Sequence, residues 1–305
     1  MTGPRHTLAG IVLVVLASAF FGATDTASKF VVTAGMPVLM AVWARYVVQA
    51  IATSAVVLPT RGWAVLRTRR LFFHCLRGVT LFSGSILLLI CLRFMPVGEI
   101  TAIMMLAPLL VTLLAATMLK ESVSALRWLL VAGAFIGTVV IMRPGGAAFG
   151  WVVLLPLGQV LCNTAFQLLT SKLARTEDPL AMHMYTGWVG ALLASAALPF
   201  MWQPVANPWL WGLLVLMGLS AAVGHLFLIL AYQRAPASTL TPYIYAQIGF
   251  AMFAGWLVFG HVPDGWAALG MGLIAACGVV GAWLTVHEGR VAARALQAAG
   301  QSPSA

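Results

Sequence analysis

The stretch GSILLLICLRFMPVGEIT, Gly84 to Thr101, decides the fold, because its grammar returns as GHLFLILAYQRAPASTLT, Gly224 to Thr241. At a constant offset of 140, Gly84 meets Gly224, Leu88 meets Leu228, Pro96 meets Pro236 and Thr101 meets Thr241. Four identities in eighteen are a thin match between two apolar segments. The shared order carries more: an apolar run, a short basic kink, a proline, then a second apolar run. If both copies hold, the chain is one half written twice.

The composition around this stretch is that of a membrane protein. Of 305 residues, 62% are hydrophobic and 8% charged, whereas soluble domains run near a quarter charged. The expected fold class is an all-α polytopic membrane protein, with the lipid bilayer as its first partner. The net charge of +10 invites a nucleic-acid reading. The basic residues sit in short loops between apolar runs, however, which is how membrane orientation is written, and no nucleic-acid partner is expected. Cys75, Cys91, Cys162 and Cys277 lie in apolar runs without a CxxC pair. They read as buried thiols, with no disulfide frame, metal site or cofactor. The start, MTGPRHTLAGIVLVVLASAFFG, resembles a signal peptide, but its apolar run continues through Phe20–Val32, so a retained helix is expected.

Ten segments are long enough to cross a bilayer, which takes roughly 20 apolar residues. They fall near 8–32, 37–59, 71–93, 97–119, 125–142, 150–172, 180–201, 208–233, 237–259 and 265–287. Proline, glycine or charge marks most boundaries, as at Pro37, Gly62, Pro96, Lys120-Glu121, Arg143-Pro144, Pro179, Pro208, Pro236 and Pro263. Residues 288–305 are left as a short, polar, mobile tail. With the N-terminus on one side, that side holds twelve Lys and Arg: Arg5, Arg61, Arg67, Arg69, Arg70, Lys120, Arg127, Lys172, Arg175, Arg234, Arg290 and Arg294. The other holds Lys29, Arg93 and Arg143. The richer side is cytoplasmic by the positive-inside rule, so both termini are expected in the cytoplasm.

The repeat extends beyond its founding stretch. Ser28-Lys29 answers Ser171-Lys172, Pro37 answers Pro179, and Gly137 answers Gly278, at offsets of 143, 142 and 141. Each repeat then holds five crossings, over 8–143 and 150–287. Five is odd, so the second copy enters the membrane from the opposite face. Two inverted five-helix repeats are a mark of secondary transporters, whose halves alternately open a site at their interface.

The plan resembles the drug/metabolite transporter superfamily, EamA type. LAPLLVTLLAATMLKES (Leu106–Ser122), YAQIGFAMFAGWLVFGHVPD (Tyr245–Asp264) and IMRPGG (Ile141–Gly146) carry the resemblance, which spans about Leu8 to His287. In that family segment four ends on an acidic residue, and Glu121 matches it; the second copy has His261 there. The two loop ends therefore differ in charge, although the fold implied is the same. The chain is most similar to bacterial exporters of amino acids and related metabolites. That implies amino-acid export across the bacterial inner membrane by alternating access. An uptake permease for a nucleoside-like or vitamin-like metabolite is the alternative. A channel or a membrane-embedded enzyme is a further alternative. No GxxxxGK[ST] loop, HExxH or paired membrane carboxylates are present, so no enzyme is expected.

Ionisable groups at membrane depth need an explanation. Asp25 is the carboxylate well inside a segment, Arg45 lies at similar depth in segment two, and Lys29 is one turn from Asp25. Either Asp25 pairs with Arg45 or Lys29 to lock helices, or it is a charged element of the pathway. Gln159, Asn163 and Gln167 form a polar stripe four apart in segment six, continued by Thr170. Segment nine has Thr239, Tyr243 and Gln247 at the same spacing. Both stripes are expected to face a cavity, opposite Met104, Met105 and Thr112 around Pro108, which bends segment four. His225 and His183 are buried in segments eight and seven, either satisfied by carbonyls or used. Trp43 is a candidate for the pathway, while Trp151, Trp202, Trp209 and Trp266 read as belt residues. Gly133 and Gly137 in segment five, with Gly270, Gly272, Gly278 and Gly281 in segment ten, point to close packing or to a homodimer face.

Overall fold

The computed structural model describes residues 4–118, 125–142, 152, 154–173, 176–200, 202–205, 207–234, 240 and 243–300. Lys120, Glu121, Arg143 to Gly146, Trp151, Arg175, Pro236 and Thr239 lie outside the described residues, as do the side chains of Pro108 and Thr112. The described regular structure is helical: α1 (Pro4–Thr33), α2 (Val38–Arg61), α3 (Leu71–Phe94), α4 (Val97–Met104), α5 (Leu106–Met118), α6 (Ala125–Met142), α7 (Leu154–Leu173), α8 (Pro179–Ala197), α9 (Pro208–Arg234), α10 (Ala246–Phe259) and α11 (Gly265–Gly300). Single 3-10 turns follow α2 and α8, at Trp63–Leu66 and Leu198–Phe200.

Local chemistry sets the ends. Asp178 caps α8, its Oδ1 accepting the N–H groups of Leu180 (2.7 Å) and Ala181 (3.3 Å), with Pro179 as the first helical residue. Asp264 accepts the N–H of Ala267 at 2.9 Å to start α11. Gly260 closes α10 in the left-handed region at φ 62°, which suits a residue without Cβ. Polar side chains inside α1 are satisfied locally. Thr24, Thr26 and Ser28 each donate to the carbonyl four residues back, at 2.9, 2.8 and 2.7 Å.

Two segments expected as single helices are interrupted. Segment four is two helices, α4 and α5, interrupted at Met105. Proline at 108 has no N–H for the carbonyl of Met104, and its ring conflicts with that turn, so the chain breaks there. Segment nine is likewise interrupted, at Tyr245, with α10 beginning at Ala246. Residues 288–300 continue α11, because VAARALQAA consists mostly of strong helix formers.

Packing follows a regular pairing. α1 lies along α9 and α3 along α7; α2 packs on α8, and α6 on α11. α1 also meets α10, as α7 meets α4 and α5. The glycines of the repeated stretch permit two of these contacts. A Cβ on Gly84 would sit 3.2 Å from Cys162 of α7, and one on Gly224 would sit 2.9 Å from Phe21 of α1. Gly137 and Gly270 face each other inside the chain: a Cβ on Gly137 would lie 2.8 Å from the Gly270 carbonyl oxygen. These two glycines therefore serve the α6–α11 contact within one chain.

Large apolar side chains face outward all round, among them Trp63, Phe72, Leu129, Leu161, Leu192, Trp209, Trp256, Trp266 and Trp283. In water such a surface would associate, so it is a lipid-facing one. Among the described residues, four helices are long and apolar enough to cross a membrane: Leu8–Thr33, Val38–Arg61, Leu71–Phe94 and Pro208–Arg234.

Gly137→Leu forces side-chain atoms into backbone that cannot yield, whereas Gly272 has open space around it. Thermal unfolding in detergent checks this contact. Gly137→Leu should lower the midpoint by roughly 5 °C or more, and Gly272→Leu should leave it within about 2 °C.

Candidate functional site

A cavity with about 100 Å³ of free interior lies within the bundle, walled by α1, α2, α3, α7, α9 and both interrupted helices. The two interruptions meet beside it. Tyr245 Oη donates to the Met105 carbonyl at 3.1 Å, joining residues 140 apart. Met104 and Met105 line the cavity from one break, Ile244 and Gln247 from the other.

Asp25 lines this cavity from α1 and is 5% exposed. Gln247 of α10 and Arg45 of α2 line the same cavity beside it. Of the two readings open for Asp25, the ion-pair lock has no salt bridge behind it among the described residues. The ion pairs among the described residues lie elsewhere, at Arg61–Asp178 (3.9 Å), His74–Glu177 (3.2 Å) and His261–Glu99 (3.6 Å). Lys29 is not the partner either. Its long stem carries Nζ away to the Met95 carbonyl, at 3.1 Å, and over the Phe259 ring. Arg45 lines the cavity with its guanidinium near the Tyr46 ring, and its Nε has no hydrogen-bond partner.

Gln159, Asn163 and Gln167 all line the cavity, as their spacing on one helix requires. Gln159 Nε2 makes a weak contact with Met104 Sδ at 3.7 Å, while its Oε1 is unpartnered. Thr170 leaves the stripe and accepts Arg77 Nε at 2.7 Å. His225 lines the cavity between two aromatic edges, Phe21 at 4.9 Å and Phe166 at 5.9 Å between centroids, with Nε2 unpartnered. Buried polar groups in folded proteins are almost always paired. Arg45 Nε, Gln159 Oε1 and His225 Nε2, on three residues that line one space, are buried without a hydrogen-bond partner.

Two expected residues stand apart. Tyr243 is 39% exposed and does not line the cavity, because the turn at Tyr245 resets the helical phase between it and Gln247. Trp43 is turned away from Arg45, as residues two apart on a helix are. Its Nε1 donates to Ser195 Oγ at 3.0 Å and its ring meets Trp202 edge-on at 6.1 Å. Pro108 falls within α5, so only the break that precedes it can be described. His183 is buried off the cavity, with Nδ1 unpartnered.

Sequence reasoning missed the aromatic lining, Phe21, Phe166 and Tyr232, because aromatic residues in apolar helices carry no mark of which way they face. It also missed Ser85, which lines the cavity and bonds Tyr46 at 2.9 Å, and Tyr245. The offset of 140 that pairs the repeats would have found Tyr245 from Met105.

Comparison with known proteins agrees with this architecture. The chain is 29% identical over 282 residues to the riboflavin transporter of Vibrio cholerae, covering 90% of this chain and 93% of that protein. It is 27% identical over 203 residues to the S-adenosylmethionine uptake transporter of Rickettsia conorii, covering 67% and 69%. It is 26% identical over 279 residues to the pseudopaline exporter CntI of Pseudomonas aeruginosa, covering 88% and 94%. One solved structure shares the fold, with a TM-score of 0.64 at 19% identity over 93% of this chain and 98% of that one. The model of the EamA-like transporter family matches residues 8–143 and again 150–285. With both halves matched and a transporter-like cavity between them, the chain belongs to the EamA-like transporter family.

Proposed function

We propose that the chain is an uptake permease for a flat, polar heteroaromatic metabolite, with riboflavin the first candidate. The observation that carries this reading is the central cavity, where amides, one carboxylate and one guanidinium face an aromatic wall. Phe21, His225 and Phe166 offer ring surface, and Gln159, Asn163, Gln167 and Gln247 offer both donors and acceptors to a ring's polar edge. The expected amino-acid export gives way to the vitamin-like or nucleoside-like alternative. One compared relative is named a riboflavin transporter and another an S-adenosylmethionine uptake transporter, and both compounds carry a flat ring system.

Transport runs by alternating access between two inverted five-helix halves, in the bacterial inner membrane with both termini cytoplasmic. The paired contacts of α1 with α9 and α3 with α7 support this reading, as do the helix breaks 140 residues apart. The Lys and Arg asymmetry of the loops supports the orientation.

Purified protein in liposomes preloaded with unlabelled riboflavin should accumulate labelled riboflavin, saturably and with no effect of added amino acids. Flux that rises without saturation points to a channel, and competition by amino acids but not riboflavin restores the export reading. The state of Asp25 and Arg45 gives a second test. Because they face each other without an ion-pair contact, each single alanine variant should lose roughly tenfold in counterflow, the equivalent of one charged hydrogen bond to cargo. The double variant should stay as impaired as either. Recovery in the double variant would make the pair a structural lock.

A further inference from the structure

Arg77 is a buried cation that the cavity description does not use. It lies about 9 Å along α3 from Leu71 and is 1% exposed. Its Nε donates to Thr170 Oγ1 at 2.7 Å, and its Nη1 donates to the Met182 carbonyl at 2.8 Å and to Thr186 Oγ1 at 2.6 Å. Both hydroxyls give their own protons to carbonyls one turn back, Thr170 to Phe166 at 2.7 Å and Thr186 to Met182 at 2.8 Å. Their lone pairs are thus left for the guanidinium. Three elements, α3, α7 and α8, converge to hold it.

Every one of these acceptors is neutral. No ion pair among the described residues includes Arg77. A guanidinium does not shed its charge in a protein. A buried charge without a counter-ion is costly, and in a membrane protein it marks a pathway more often than a scaffold. The position explains the charge. The Arg77 guanidinium stacks on the Phe166 ring, 4.6 Å from its centroid, and Phe166 lines the cavity. The cation therefore stands one ring's thickness behind the cavity wall. His183 and His225 share its surroundings and add no negative charge. Of the residues lining the cavity, Asp25 and Arg45 are the charged pair. Arg77, behind Phe166, adds a third charge beside that pair without itself lining the cavity.

We propose that Arg77 selects cargo by charge: held behind Phe166, its field favours a flat cargo bearing one anionic group over a neutral cargo of the same shape. This rests on the flavin-type reading of the cavity and narrows it. Arg77 acts through space, since its Nε and Nη1 are committed to Thr170, Met182 and Thr186 and Phe166 stands between it and the cavity. A unit charge this near a low-dielectric cavity changes relative affinity by roughly tenfold.

The test uses two flavins that share the ring, 10-carboxymethylflavin, a monoanion, and 10-(2-hydroxyethyl)flavin, which is neutral. Each competes against counterflow of labelled riboflavin into liposomes holding the full-length protein. Arg77→Gln should cut the preference for the anion over the neutral flavin by roughly tenfold, while Arg77→Lys should keep most of it. A purely structural role predicts the opposite pattern, with both variants weakened and the ratio unmoved, and that result overturns the proposal. Should Arg77→Gln fail to fold, the unaltered protein reads the same field: it must prefer the anionic flavin over the neutral one by roughly tenfold, and an equal or reversed preference overturns the proposal. No competition by either flavin, with riboflavin counterflow absent, removes the flavin reading and this inference with it. Counterflow with an unmoved ratio removes the inference alone.

Discussion

The hydrogen bond from Tyr245 Oη to the Met105 carbonyl joins the two places where the helical ladder fails. In hydrocarbon an open backbone group costs several kcal/mol, so an interrupted helix survives only against protein or in a wet cavity. Here the two interruptions lie together, and each covers the other. The bond ties 105 to 245 across the bundle, and residues on either side of it, Met104 and Met105, Ile244 and Gln247, become cavity wall. A continuous helix at either position would close the space that the polar side chains face.

The rest of the scaffold keeps that space open while filling everything around it. Glycines bring α1 against α9 and α3 against α7, so four long elements surround the cavity with little separation elsewhere. Hydroxyls in α1, α3 and α7 return their protons to their own backbones and so cost little in an apolar setting. Charge is treated differently at the ends and the centre. At the ends it is paired, as in His74–Glu177 and Arg61–Asp178. At the centre Asp25 and Arg45 line one cavity without an ion pair, and Arg77 lies behind Phe166.

Where the sequence was legible, one regular period sufficed. Gln159, Asn163 and Gln167 face the cavity together because α7 is unbroken through all three. The same rule failed at Tyr243 because the turn at Tyr245 intervenes, a break that no proline at the corresponding spot announced. It was sound at Pro108 for the converse reason, since a proline removes a specific hydrogen bond. Asp25 and Arg45 could be placed by depth but not joined, because pairing depends on how two helices are rotated. The role of Arg77 was hidden for a similar reason. In the sequence it looks like one more basic residue at a segment end, and only the convergence of Thr170, Met182 and Thr186 separates it from the others.

The proposed alternating access exposes the cavity first to one side of the membrane and then to the other. Spin labels at exposed positions read this directly, at Thr33 and Val262 for one end of the bundle and at Arg69 and Gln233 for the other. Pulsed electron–electron distances in liposomes, with and without saturating riboflavin, should change in opposite senses at the two ends. Distances that stay fixed, or that widen or shrink together at both ends, would contradict alternating access.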